Sequence, residues 1–394
     1  MKDKKALAIL SISMITILGS TAVSPALAGI KSAFPQMSDE NIQLVLTITP
    51  LFIIPACFLC RYLIERIGKR KVLILGIVLY LIGGIGAGLM PSFNLMLVGR
   101  AVLGIGCGLI TPMAQALISS NFTGKKKEIL TGYSASASYL MGIISSIVVG
   151  KLAAIHWRLA FLIYAIAFLV LGLNLKYLPN DKGEGKAQNK ESKESSQKFN
   201  GKAFLVILSM GLINVAFYTF STSIALFMKH EGIGGASTAG LVVASFMLFG
   251  FFVGLITNKI RERIKQFTFA LACIMMGTGY IGLALSSNII LITGCAALIG
   301  GSYSIFYSGV FLKIGQLSRS KEENTRLVTN TTASMFIGQS VSIYILQAAE
   351  WLMGQSGYRF RFTLLAVMLG ISAAGVIIKG VYKRKDLKKL CNHY

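Results

Sequence analysis

The sequence predicts an all-α membrane protein of twelve transmembrane helices, arranged as two six-helix halves. Three observations predict it. Of 394 residues, 54% are apolar and only 14% charged, with a mean hydropathy of +0.68; a soluble chain carries nearer a quarter charged residues. Apolar runs of roughly 20 residues recur along the chain, each long enough to cross a bilayer as a helix. The stretch 179–202 is rich in Lys, Glu, Ser, Gln, Gly and Asn, and it divides those runs six and six. Such a composition reads as a flexible, solvated linker.

Charge placement sets the orientation. The 39 Lys and Arg outweigh the 15 Asp and Glu to give a net charge of +24. Nucleic acid is not needed as a partner, because the cations follow a topological rule. With the basic loop 61–71 in the cytoplasm, alternation leaves few cations elsewhere. Lys31, Lys151, Arg158, Lys229, Arg359 and Arg361 fall outside, and Arg100 falls within a span. This is the positive-inside asymmetry of a multi-pass protein in a lipid bilayer. A bacterial inner membrane, cytoplasmic termini and a monomer are expected.

The first span is read at 6–29. Lys2, Lys4 and Lys5, the apolar run after them and Ala26-Leu27-Ala28 imitate a secretory signal with its cleavage site. The apolar run continues to Ile30, however, and twelve spans restore a two-fold pattern, so an uncleaved helix is expected. Spans at 41–60, 72–90, 95–119, 129–154 and 157–178 complete an N-terminal bundle, 1–178. Spans at 203–228, 235–257, 266–285, 288–312, 325–349 and 362–380 form a C-terminal bundle, 203–394, which ends in a basic tail. Five of the six cysteines lie inside spans. Cys57 and Cys60 form a C-x-x-C on a lipid-crossing helix, where packing by a small apolar side chain is the better reading.

Two loop patterns mark the halves. Between spans two and three, Glu65 and Arg66 are followed by Gly68, Lys69 and Arg70. A degraded copy lies between spans eight and nine: Gly254, three residues, Asn258-Lys259, then Arg261 and Arg263. A generic basic loop accounts for the charge but not for the order or the recurrence. The pattern resembles the loop signature of the major facilitator superfamily: Gly, three residues, Asp, a cation, any residue, Gly and two cations. Arg61 stands where that family has its first glycine, and Glu65 replaces Asp. The resemblance implies two parallel six-helix halves and a secondary transporter working by alternating access. It also implies a gating role for Glu65, Arg66, Gly68, Lys69, Arg70, Asn258 and Lys259.

Polar stripes inside the membrane supply the candidate site. Arg100, Gly104, Cys107, Thr111 and Gln115 share one face of span four. A cation at that depth costs a few kcal/mol unless it snorkels or meets partners. An outward-snorkelling anchor is one reading of Arg100; a cavity-facing side chain, paired with Asp39 or Glu40 when the outside closes, is the other. Small-residue packing explains Gly104 equally well. Ser13, Thr16, Ser20 and Ser24 line up in span one; Asn214, Tyr218 and Ser221 in span seven; Tyr303 and Tyr307 in span ten; Thr332 and Gln339 in span eleven. In the resembling fold, spans one, four, seven and ten surround a central cavity. The cavity candidates are therefore Ser20, Ser24, Arg100, Thr111, Gln115, Asn214, Tyr218, Tyr303, Tyr307, Thr332 and Gln339. The amides of Gln115, Asn214 and Gln339 are the costliest to leave in lipid.

What the spans lack is equally informative. All fifteen acidic residues lie in loops or at span ends, and His156, His230 and His393 are peripheral. An intramembrane enzyme or a metal site has nothing to recruit, and no cofactor is expected. A non-transporting receptor does not need polar cavity faces. Span five carries Ser145-Ser146-Ile147-Val148-Val149-Gly150, where drug–proton antiporters of the resembling family carry Gly-Pro, two residues and Gly-Gly. Ser24-Pro25-Ala26-Leu27 and Asn41-Ile42-Gln43 resemble that family's exporter branch. The expected activity is efflux of a small organic solute, a drug or metabolite of neutral, amphipathic or anionic character. Uptake, or an anion or metabolite permease, is the alternative, and a co-transported or exchanged proton or other ion stays open.

Overall fold

Proline and capping residues decide where this chain's helices start, break and bend. The structure is a computed structural model and describes residues 2–178 and 201–391. The expected linker lies outside the described residues except for Gly201 and Lys202, which already belong to a helix. The first span comprises α1 (Lys2–Thr21), a 3-10 turn at Ser24–Ala26 and α2 (Leu27–Ala33). Pro25 breaks what was expected to be one helix, because its nitrogen has no proton to donate. Next come α3 (Asp39–Ile67), α4 (Lys69–Leu89), α5 (Phe93–Asn121) and α6 (Gly124–Ile155). Span six opens as a nine-residue 3-10 stretch, Trp157–Ala165, before α7 (Ile166–Tyr177), and so is not the single helix expected.

The remaining spans are α8 (Gly201–His230), α9 (Ala236–Ile264), α10 (Thr268–Leu285), α11 (Ile289–Leu317), α12 (Lys321–Met353) and α13 (Tyr358–Cys391). Among the described residues, 11 segments qualify by length and composition to cross a membrane. The twelfth is α12, which has the length, at 33 residues, but carries a run of Thr, Asn, Ser and Gln. Ser38, Ser92, Asn288 and Ser320 cap α3, α5, α11 and α12, each accepting a backbone N–H two or three residues on. Those acceptors satisfy donors that a helix start leaves open.

Spans one to six (the N half) and seven to twelve (the C half) repeat the same packing. α4 lies on α5 as α10 lies on α11; α3 meets α5 as α9 meets α11; α1 meets α6 as α8 meets α12. Glycine permits the close approaches. A Cβ on Gly106 of α5 would sit 2.6 Å from the Tyr80 nitrogen of α4, and one on Gly279 of α10 would sit 2.9 Å from the Cys295 oxygen of α11. The halves meet through α6 against α9 and α3 against α12. Gly150 and Gly240 put the α6 and α9 backbones in contact: a Cβ on Gly150 would lie 2.9 Å from the Gly240 Cα.

One end of the bundle holds loops 34–38, 90–92, 231–235, 286–288 and 354–357, and is called the far end. The other, the basic end, holds the turns after α3 and α9 with their lysines and arginines.

Candidate functional site

Three named side chains meet inside the C half. Asn214 of α8 is fully buried; its amide nitrogen donates to the Met210 carbonyl of its own helix at 2.8 Å. Its oxygen accepts from the Tyr303 hydroxyl of α11 and from the Gln339 amide of α12, each at 3.1 Å. Tyr303 stacks on Phe217 with ring centroids 4.1 Å apart. Tyr307 and Phe311 follow Tyr303 at four-residue spacing along one face of α11, with centroid separations of 5.9 and 4.8 Å. Tyr307 is 38% exposed. Thr332 is half-buried and donates to its own Val328 carbonyl at 3.0 Å, so its hydroxyl is satisfied within the helix. The Gln339 oxygen is buried without a protein partner.

A second group bridges the halves, running from Tyr218 toward the far end. The Tyr218 hydroxyl of α8 reaches the carbonyls of Ser20, at 2.9 Å, and Leu46, at 3.0 Å. Ser24 donates to the Ser221 carbonyl, and the Gln43 amide donates to Ser223 at 3.3 Å. Thr111 donates to its own Cys107 carbonyl at 2.8 Å. The Gln115 side chain lies outside the described residues.

Arg100 belongs to neither group. It is fully buried inside the N half, where its donors reach the Val45 carbonyl at 2.7 Å, the Tyr164 hydroxyl at 2.5 Å and the Gly19 carbonyl at 3.2 Å. Neither an open cavity face nor a partnership with Asp39 or Glu40 describes it here. Neutral oxygens from three other helical segments satisfy the planar fork instead. The stripe below Arg100 divides among neighbours for the same steric reason. Gly104 and Gly108 admit α3, and Cys107 fills the space beside Gly19.

Asp39 and Glu40 serve elsewhere, in an ionic clasp across the far end. Asp39 meets Lys31 at 3.5 Å, His230 at 2.8 Å and the Tyr358 hydroxyl at 2.5 Å. Arg361 pairs with Glu40 of the N half and Glu350 of the C half, at 2.7 and 2.8 Å. Lys229 donates to Ser32 at 2.6 Å. Beside the clasp, the Arg359 guanidinium donates to Glu231 and holds that carboxyl below its usual range. Asp39, Glu40, His230, Glu350, Arg359 and Arg361 line an open cleft of about 520 Å³.

At the basic end, Gly68 ends α3 with φ of 84°, a left-handed conformation that suits glycine. Glu65 and Arg66 are exposed; Glu65 lies 3.8 Å from Arg61 of its own helix, and Arg66 sits over the Tyr62 ring at 4.5 Å. The contacts to other helices come from other cations: Arg70 donates to the Leu175 carbonyl at 2.7 Å, and Arg261 to Ser308 at 3.1 Å. Lys69 opens α4, and Asn258 accepts from Arg261 at 3.3 Å, with exposed Lys259 beside it. Sequence reasoning missed Tyr164, Gln43, Tyr358 and the Glu350–Arg361 pair. The usable signal for that pair was a carboxylate and a cation flanking the turn at Gly354 and Gly357.

The family model for the Major Facilitator Superfamily matches residues 9–343. The chain belongs to the Major Facilitator Superfamily, a family of multi-pass membrane transporters. Multidrug resistance protein 1 of Bacillus subtilis (strain 168) is 27% identical over 253 residues, 60% of this chain and 62% of that protein. The match therefore spans under two thirds of the relative. Among solved structures, the nucleoside transporter NupG superposes with a TM-score of 0.76 at 10% identity, covering 95% of this chain and 99% of that one. A bacterial homologue of the human lysosomal transporter Spinster, inward-facing and occupied, gives 0.70 at 15% identity over 95% of each chain.

Proposed function

We propose that this transporter exports a small, uncharged, amphipathic organic solute bearing an aromatic ring, across a bacterial inner membrane. The observation that carries the reading is the Asn214–Tyr303–Gln339 cluster joined to the aromatic face Tyr303, Tyr307 and Phe311. Aromatic faces bind planar solutes through offset stacking, and the amides fix orientation by hydrogen bonding. The acidic residues lie in loops or near helix ends, and none lies at mid-span to attract a cation. The guanidinium of Arg100 is fully buried and its donors are taken by two carbonyls and a hydroxyl, so it is out of reach of an anionic cargo.

The halves alternate around this site, with the basic end and both termini in the cytoplasm. The far-end clasp is the closed outer gate. The turn at Glu65, Arg66, Gly68, Lys69 and Arg70, with Asn258 and Lys259 in the other half, gates the inner side. The exporter-like residues at Ser24–Leu27 and the multidrug relative support the outward direction.

Everted membrane vesicles test the reading. An exporter accumulates chloramphenicol, an uncharged nitroaromatic with two hydroxyls, in preference to tetraphenylphosphonium, a lipophilic cation. Equal or reversed preference overturns the assignment of an uncharged cargo. Accumulation in right-side-out vesicles alone overturns the direction.

A further inference from the structure

We infer that the hydroxyl of Tyr218 is the mid-membrane lock of the state closed at the far end, acting on two carbonyls left without helical donors, one by a proline and one by a helix end. Pro50 has no N–H, so Leu46, four residues earlier in α3, has lost its helical partner. Ser20 stands in the last turn of α1, just before the break at Pro25, where carbonyls run out of donors along their own helix. Both carbonyls belong to the N half, and both converge on one fully buried hydroxyl of the C half, at 2.9 and 3.0 Å. A phenol has one proton to give, so the two acceptors share it in a three-centre bond.

The same chain shows a local solution to this problem, which sets the Tyr218 arrangement apart. Pro112 of α5 deprives the Gly108 carbonyl of its donor, and the Cys57 thiol of α3 approaches that carbonyl at 3.3 Å. That donor comes from the same half and stays with its acceptor through any rigid-body movement of the halves. The donor to Leu46 comes from the other half. Tyr218 lies twelve residues before the end of α8, roughly 18 Å below the ionic clasp at about 1.5 Å per residue. The halves cannot part at the far end without withdrawing it. Once they part, water entering the cleft hydrates the freed carbonyls, so the bond favours only the closed arrangement. Tyr218 is thus a positioning residue that sets the balance of states and does not itself contact the cargo.

The inference rests on the alternating-access reading, but its test needs no transport. Hydrogen–deuterium exchange is followed by mass spectrometry on the full chain in nanodiscs, for wild type, Tyr218→Phe, Pro50→Ala and the double variant. Tyr218→Phe is expected to raise exchange at far-end segments 33–44 and 226–236 and to lower it at basic-end segments 129–140 and 311–318. The expected shift between states is about tenfold. Pro50→Ala returns an N–H to the Leu46 carbonyl, so in that background the shift falls to about threefold or less. Unchanged exchange at both ends overturns the inference. So does a rise at both ends, which reports loosened packing, or an undiminished shift in the Pro50→Ala background. Should Pro50→Ala fail to fold, the reciprocal pattern in Tyr218→Phe decides alone. Loss of the transport reading with this pattern intact leaves a two-state bundle of different cargo.

Discussion

Arg361 of α13 sits between two carboxylates, 2.7 Å from Glu40 in the opposite half and 2.8 Å from Glu350 in its own. The two pairs have different fates when the halves separate. Glu350 keeps the cation company, while Glu40 moves away into water. Glu40→Gln should therefore weaken far-end closure and leave folding nearly intact. Arg361→Ala strands the buried Glu350 carboxylate, and removing one partner of a buried pair costs roughly 3–5 kcal/mol. Thermal unfolding in detergent should show a much larger drop for Arg361→Ala. Equal drops would show that the Glu350 pair contributes nothing special.

Arg100 is predicted to act as a structural hub. Its guanidinium ties the Gly19, Val45 and Tyr164 segments to α5. Arg100→Lys keeps the charge but not the fork, so it should fail to restore what Arg100→Met loses. Both should lower stability by roughly 1–3 kcal/mol, the cost of leaving buried hydrogen-bonding groups unpaired, read as melting temperature and folded yield. Normal melting with abolished transport would return Arg100 to the cavity.

Gly338 is predicted to be irreplaceable for the contact between α8 and α12. A Cβ there would overlap the Gly211 carbonyl oxygen, whereas one on Gly370 meets nothing within 4 Å. Gly338→Ala should cost roughly 1–3 kcal/mol. Gly370→Ala should be neutral or stabilising by roughly 0.5–1 kcal/mol, through helix propensity. A reversed order in melting temperature would place the close contact elsewhere.

The turns after α3 and α9 make a matched pair. Gly68 holds φ of 84°, and Lys265, at the equivalent place, holds φ of 45° with a side chain attached. Lys265→Gly should stabilise by roughly 1 kcal/mol, and Gly68→Ala should destabilise by a similar amount. Opposite signs in a denaturation series check the pair; matching signs refute it.

The spans were legible because apolar length and cation placement are local properties of the chain. The break in span one is carried by Pro25 itself, although the apolar run around it reads as one helix; the 3-10 opening of span six was not legible, because a run of hydrophobic residues looks alike in either helical form. The span at 325–349 was legible within α12 despite a polar run that makes it a poor span by composition and a good partner for Asn214. Periodicity also identified Asn214, Tyr303 and Gln339 one helix at a time, but their meeting required the fold. Arg100 shows the converse. Its depth was readable, yet its direction was set by Tyr164 and by two carbonyls, which no side-chain pattern announces. The Glu40–Arg361 pair joins residues on opposite sides of the linker, so sequence proximity carried no hint of it.

The central claim is that cargo passes between the halves along the aromatic face of Tyr303, Tyr307 and Phe311, which the Asn214–Tyr303–Gln339 cluster holds in place. Its most direct test is the flux of radiolabelled chloramphenicol into proteoliposomes containing wild type, Asn214→Leu or Gln339→Leu. All three must first show comparable melting curves. The account predicts saturable flux for wild type above that of empty liposomes, and at least a tenfold lower rate for both variants. Wild-type flux no faster than empty liposomes, or variants that transport as well as wild type, would contradict it.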